Sequence, residues 1–88
     1  LISNKIIPYT GFDTGYNLII YDKDIPEKKF RIKLHEIGCA DGEIEMHVEL
    51  LKTGGYTVLF NDRYSDILEI FLRSLLESGF QAEILHEA

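Results

Sequence analysis

The chain has a single cysteine, Cys39, among its 88 residues, so it cannot form an internal disulfide. Its stability must then come from an apolar core, and a lone thiol fits a reducing, cytoplasmic setting. Long apolar runs are also missing. No stretch approaches the roughly 20 apolar residues of a membrane span, and no basic-then-apolar leader stands at the start. Basic residues are scarce: nine Lys and Arg oppose fifteen Asp and Glu, for a net charge of −6. That balance disfavours sequence-independent binding to nucleic acid, which depends on neutralising phosphates. Glycines occur as GFDTG, GCADG and TGG, none with the lysine a phosphate loop needs. No Ser-His-Asp order, paired-carboxylate motif or aromatic-plus-basic RNA platform is present.

What is present is enough for one globular domain spanning 1–88. The chain is 45% hydrophobic and 27% charged, unlike a disordered segment. The acids concentrate after residue 36, and residues 1–36 are nearly neutral. The chain opens at Leu1 rather than methionine, which leads us to expect a trimmed chain or a domain of a longer one.

The stretch Asn61–Gly79 organises the rest. Tyr64, Ile67, Leu68, Phe71, Leu72 and Leu75 recur at helical spacing, with Asp66, Glu69, Arg73 and Glu77 opposite. The spacing predicts a helix over 63–78, opened by Asp62 or Ser65 and closed by Gly79. Tyr16–Tyr21 reads as a strand covered on both faces, and 22–29 as a charged loop broken by Pro26. Ile6 and Ile7 offer a short extra strand near 5–9.

Residues 30–37 and 43–51 alternate apolar and polar, the period of strands. Pairing Phe30 with Leu50, Ile32 with Val48 and Leu34 with Met46 keeps one face apolar. It also sets Arg31 against Glu49 and His35 against Glu45. Strands at 56–60 and 80–85 flank the helix, the last running parallel to the one before. The expectation is a two-layer α+β sandwich: a mostly antiparallel five-stranded sheet, ordered β-β-β-β-α-β, with one helix on one face.

Such a sheet would leave its reverse uncovered. A partner-docking face would carry Glu43, Glu45 and Glu49, with Asp62, Asp66 and Glu69 drawing in a basic surface and Tyr21, Leu51 and Leu59 as anchors. The leading reading is therefore a non-enzymatic, acidic protein-interaction module. An inhibitor or an immunity-type protein, such as phages encode, is one form it takes, and a homodimer through the open sheet face is another arrangement. No catalytic residue, metal or cofactor is assigned. The second reading is a ligand-sensing or assembly domain of a longer protein.

The third reading is a small hydrolase. Asp13-Thr14-Gly15 resembles the catalytic turn of aspartic proteases of the short dimeric type. The resemblance implies that Asp13 shares a proton with its mate across a dimer. The match departs at VLFNDR, where a glycine-containing apolar strand is expected, and only twelve residues precede Asp13. Cys39 with His35 as base is the other catalytic pairing weighed. His35 and His47, diagonal on the expected strands, are the nearest approach to a zinc ligand pair.

Overall fold

The computed structural model describes residues 15–21 and 24–87. In order, the elements are β1 (Gly15–Ile20), α1 (Glu27–Glu36), α2 (Asp41–Gly54), β2 (Thr57–Asp62), α3 (Asp66–Glu77) and β3 (Ala82–Glu87). The sheet has three strands in the order β2-β1-β3, with β1 antiparallel to both neighbours. Asp13, Thr14 and the strand expected near 5–9 lie outside the described residues.

This overturns the five-stranded sheet. The two segments expected as a hairpin are the helices α1 and α2, and the sheet keeps only the other three strands. The reason lies in two competing periods. Phe30, Ile32 and Leu34 alternate, but the inward set is Phe30, Lys33 and Leu34, while Ile32 is exposed. Along α2 the buried residues are Ile44, His47, Val48 and Leu51, at spacings of three, four and seven. Met46 and Leu50, which the strand pattern turns inward, are exposed. Lys33 and His47 are polar residues in inward positions, and they disguise the helical period. Both segments are rich in Glu, Lys and Leu, and these favour helix.

The helix ends show how the chain turns between elements. Ile37 is the C-cap of α1 and Gly38 follows it at φ 100°. There Gly38 N–H donates to the His35 carbonyl and Cys39 N–H to the Leu34 carbonyl. The same pair of bonds closes α3: Gly79 N–H to Leu76 and Phe80 N–H to Leu75, with Gly79 at φ 89°. Both are Schellman closures, with an apolar residue after the glycine packing into the core. Pro26 precedes α1 and its carbonyl accepts the first helical bond, from Phe30 N–H.

β1 is the central strand, as its two-sided apolar pattern predicts. Leu18 and Ile20 face the helices and join Phe30, Leu34, Ile44, Val48, Leu51, Leu68, Leu75 and Phe80 in one core. α1 packs on α2, α2 on β2, and α3 across all three strands. The β1–β2 register slips at Leu59, and both Leu59 and Phe60 pack against the core. β2 and β3 run in the same direction, as expected, but with β1 between them.

Candidate protein-binding surface

The reverse of the sheet is not the open platform expected. Asn17 and Ile19 alternate with Leu18 and Ile20 and so point away from the core helices. Ile19 is nonetheless 0% exposed and Asn17 3%. The Asn61 side chain crosses the β1–β2 boundary and donates to the Asn17 side-chain oxygen at 3.0 Å and to the Tyr16 carbonyl at 3.1 Å. A docking partner would find little to hold at the centre of that face.

The nine residues expected at an interface divide among several places. Leu51 and Leu59 are buried in the core and offer no anchor at the surface. Tyr21 follows β1 and is half-buried; burial, and then the nearby Glu83 carboxylate, push its phenol above the ordinary range. Glu43, Glu45 and Glu49 are exposed on α2. Asp66 and Glu69 stand in the first turn of α3, and Asp62 ends β2, where its Oδ1 accepts from Tyr64 N–H at 2.9 Å and shapes the turn into the helix. Ser65 precedes the helix without a side-chain cap bond.

Six charges of α1 and α2 pair with one another, while Asp41 and Glu49 have no ion pair among the described residues. Arg31 donates through both terminal nitrogens to the Glu45 carboxylate, at 2.7 and 2.9 Å, and through Nε to Glu27 at 2.8 Å. Lys52 pairs with the second oxygen of Glu27, and Lys33 with Glu36 at 3.4 Å. Glu43 accepts from Ala40 N–H at 3.0 Å and so covers an otherwise unbonded amide at the start of α2. Hydrogen bonds from Lys52 and Arg31 hold Glu27 below the usual carboxylate range, and Arg31 does the same for Glu45. This replaces the expected Arg31–Glu49 and His35–Glu45 pairs. An open depression of about 410 Å³ between the two helices is lined by Arg31, His35, Asp41, Ile44 and Glu45. Acids and bases both line it, and Arg31 is already held at its wall.

α3 is different. No base lies within ion-pair range of Asp66, Glu69 or Glu77 among the described residues. Large apolar side chains stand in the open among them: Tyr64 is 65% exposed, Ile67 50% and Ile70 66%. Of the face expected to turn inward, Leu68 and Leu75 are buried and Phe71 and Leu72 half-buried; Tyr64 and Ile67 remain in water.

The residues weighed for chemistry are not gathered into a site. His47 is buried and its Nδ1 shares a 2.7 Å hydrogen bond with the Thr57 hydroxyl, while His35 is exposed on α1. Cys39 is buried, and that burial, with the Glu43 carboxylate adding to it, pushes the thiol up and away from thiolate. No group of three His, Cys, Asp or Glu side chains could hold a metal ion among the described residues. No helix of the described residues is long and apolar enough to cross a membrane. The chain matches no family model and no curated protein.

Two features escaped the sequence pattern. The Arg31 clamp needed α1 and α2 to be recognised as neighbouring helices, although the Glu27–Arg31 spacing of four was there to be read. His47 gives no inward signal in the pattern because its ring is polar, and the Thr57 hydroxyl makes its burial possible.

Proposed function

We propose that this chain is a non-enzymatic, acidic protein-interaction module that captures a partner with a basic surface. An inhibitor or immunity-type role, blocking the basic site of another protein, is the form this reading takes. The observation that carries it is the uneven state of the carboxylates. Glu27 and Glu45 at the α1–α2 junction are neutralised inside the molecule, while Asp66, Glu69 and Glu77 on α3 have no base within ion-pair range among the described residues, and Asp66 and Glu77 flank exposed isoleucines. Unneutralised like charges raise the local negative potential and speed encounter with a cationic partner. Exposed apolar groups within them supply contact area that water leaves readily. The closed centre of the reverse sheet face moves this role from the sheet to the helices, and argues against a homodimer through the sheet. A single buried thiol agrees with a reducing compartment such as the cytoplasm.

Affinity capture from lysate of the source cells, at low and at high salt, tests the reading. The wild-type chain should retain a Lys- and Arg-rich protein at low salt and release it at high salt. The Asp66→Lys/Glu69→Lys chain should fail to retain it. A captured set that ignores both salt and charge reversal contradicts the proposal.

A further inference from the structure

We infer that the docking surface is the outer flank of α3, and that its occupant is one amphipathic helix of the partner, with Lys or Arg beside an apolar stripe. The inference rests on the acidic-module reading and specifies where and what that module binds.

α2 and α3 both expose carboxylates beside apolar side chains. On α2 the apolar pair is Met46 and Leu50, but Glu45 is committed to Arg31 and Glu43 to the Ala40 amide. A cation arriving at Glu43 or Glu45 would have to displace a bond already made, and of the carboxylates beside this apolar pair only Glu49 has no such bond among the described residues. On α3 the carboxylates are uncommitted, so a new ion pair there breaks nothing.

The stripe on α3 has a definite shape. Ile67, Ile70 and Ser74 follow one another at steps of three and four, the seam into which a second helix meshes its own side chains. Asp66 and Glu77 border this seam on its solvent side. Phe71 borders it on the other, and its ring stacks on Phe60 of β2 at a centroid distance of 4.9 Å. The exposed isoleucines thus continue into the half-buried aromatic edge of the domain. Ser74 keeps the middle of the seam low, so a large apolar side chain from the partner can settle between Ile70 and Glu77. From Asp66 to Glu77 the seam runs for twelve residues, about 17 Å of helix, or roughly three turns. Acid at both ends of it calls for a base at each end of the occupant.

The test uses the full chain labelled with ¹⁵N and, as probe, a synthetic Leu/Lys amphipathic peptide of about 14 residues, enough for nearly four helical turns. A peptide with Glu in place of every Lys serves as control. The expected result is amide shifts concentrated on 66–77 at low salt, lost at high salt and absent with the Leu/Glu control. Ile70→Lys should weaken the probe about tenfold, and Asp66→Asn/Glu77→Gln should reduce both the affinity and its salt dependence. These side chains are exposed, and an unchanged spectrum elsewhere confirms that each variant folds. Salt-sensitive shifts centred on Glu43, Met46 and Leu50 would overturn the α3 assignment and leave the acidic-module reading standing. Shifts confined to β2 would mean strand addition at the sheet edge and would overturn the helical occupant. Concentration-dependent self-association that excludes the probe would assign the seam to a second copy instead. No salt-sensitive shift anywhere would remove the acidic-module reading together with the inference.

Discussion

His47 Nδ1 and the Thr57 hydroxyl meet at 2.7 Å inside the core and tie the middle of α2 to the first residue of β2. Both residues are almost inaccessible, at 3% and 1% exposure, so neither group can turn to water instead. Thr57→Val keeps the shape and removes the partner. It should cost about 1–3 kcal/mol, the penalty of a buried polar atom left without its bond. Urea unfolding of the two chains checks this, and equal midpoints would show that the bond is not made.

The same pair gives the domain a pH dependence. Burial pushes the His47 imidazole below its ordinary pKa, against a smaller opposing pull from Glu43. The unfolded imidazole gains its proton near pH 6.5, and the folded one only at lower pH. Below that point the unfolded state binds more protons, so stability is full above about pH 6.5 and declines as the pH falls through the folded value. The wild type should lose more stability than His47→Gln between about pH 7 and pH 5. Parallel pH profiles for the two would contradict a buried neutral imidazole.

Arg31 and Lys52 share Glu27, but only Arg31 holds Glu45, and titration can separate the two contributions. Glu45 is lowered chiefly by Arg31, and Glu27 chiefly by Lys52 with Arg31 second. In Arg31→Met the Glu45 carboxyl should return toward the ordinary range while Glu27 stays depressed. In Lys52→Met, Glu27 should rise and Glu45 should move little. Side-chain ¹³C shifts against pH report each directly; a Glu45 value unmoved by Arg31→Met would mean the α1–α2 clamp does not form in solution.

Neighbouring residues of α3 should respond very differently to truncation. Leu75 is fully buried and Leu76 is half exposed. Leu75→Ala should cost about 2–5 kcal/mol by emptying core volume, whereas Leu76→Ala should stay within about 0.5 kcal/mol. Comparable losses at both would place the wrong face of α3 on the sheet.

Two glycines should change stability in opposite directions when replaced by alanine. Gly15 opens β1 at φ 100°, and a Cβ there would stand 2.6 Å from the Asp62 carbonyl oxygen. Gly15→Ala should therefore destabilise by more than about 1 kcal/mol. Gly42 lies in the first turn of α2 with nothing within 4 Å of its would-be Cβ. Gly42→Ala should stabilise by about 0.4–1 kcal/mol through the unfolded chain. Thermal melts of both variants settle the signs.

The sequence made some elements plain because only one period fitted them. Tyr16–Tyr21 is too short and too β-branched to read otherwise, and it falls within a residue of β1. The 3- and 4-residue recurrence from Leu68 to Leu75 fits helix alone, and α3 starts only slightly later than read. Residues 30–37 and 43–51 satisfied both periods at once. What separates the readings is the partner each residue meets, and that is not written in the pattern. His47 points inward because Thr57 receives it, and Lys33 because its ammonium reaches Glu36. One local signal did distinguish them. LHEIGC at 34–39 and LLESGF at 75–80 share the leucine, glycine and apolar positions of a Schellman closure, and both end helices this way. Gly79 marks the second in the sequence, whereas at the first the alternating pattern on both sides predicts a hairpin turn. The expected anchor Leu51 follows from the strand reading of α2, whereas Leu59 lies on a true strand and turns inward at the register slip between β1 and β2. Asp62, Asp66 and Glu69 do not depend on that reading: Asp62 ends β2, and Asp66 and Glu69 stand in the first turn of α3.

The uncommitted acids of α3 are tested most directly by the association rate of a captured basic partner across ionic strength. The wild-type rate should fall steeply as salt rises. The rate for Asp66→Lys/Glu69→Lys should be at least about tenfold lower at low salt and nearly flat. Rates that coincide for the two chains at every salt concentration would contradict the account.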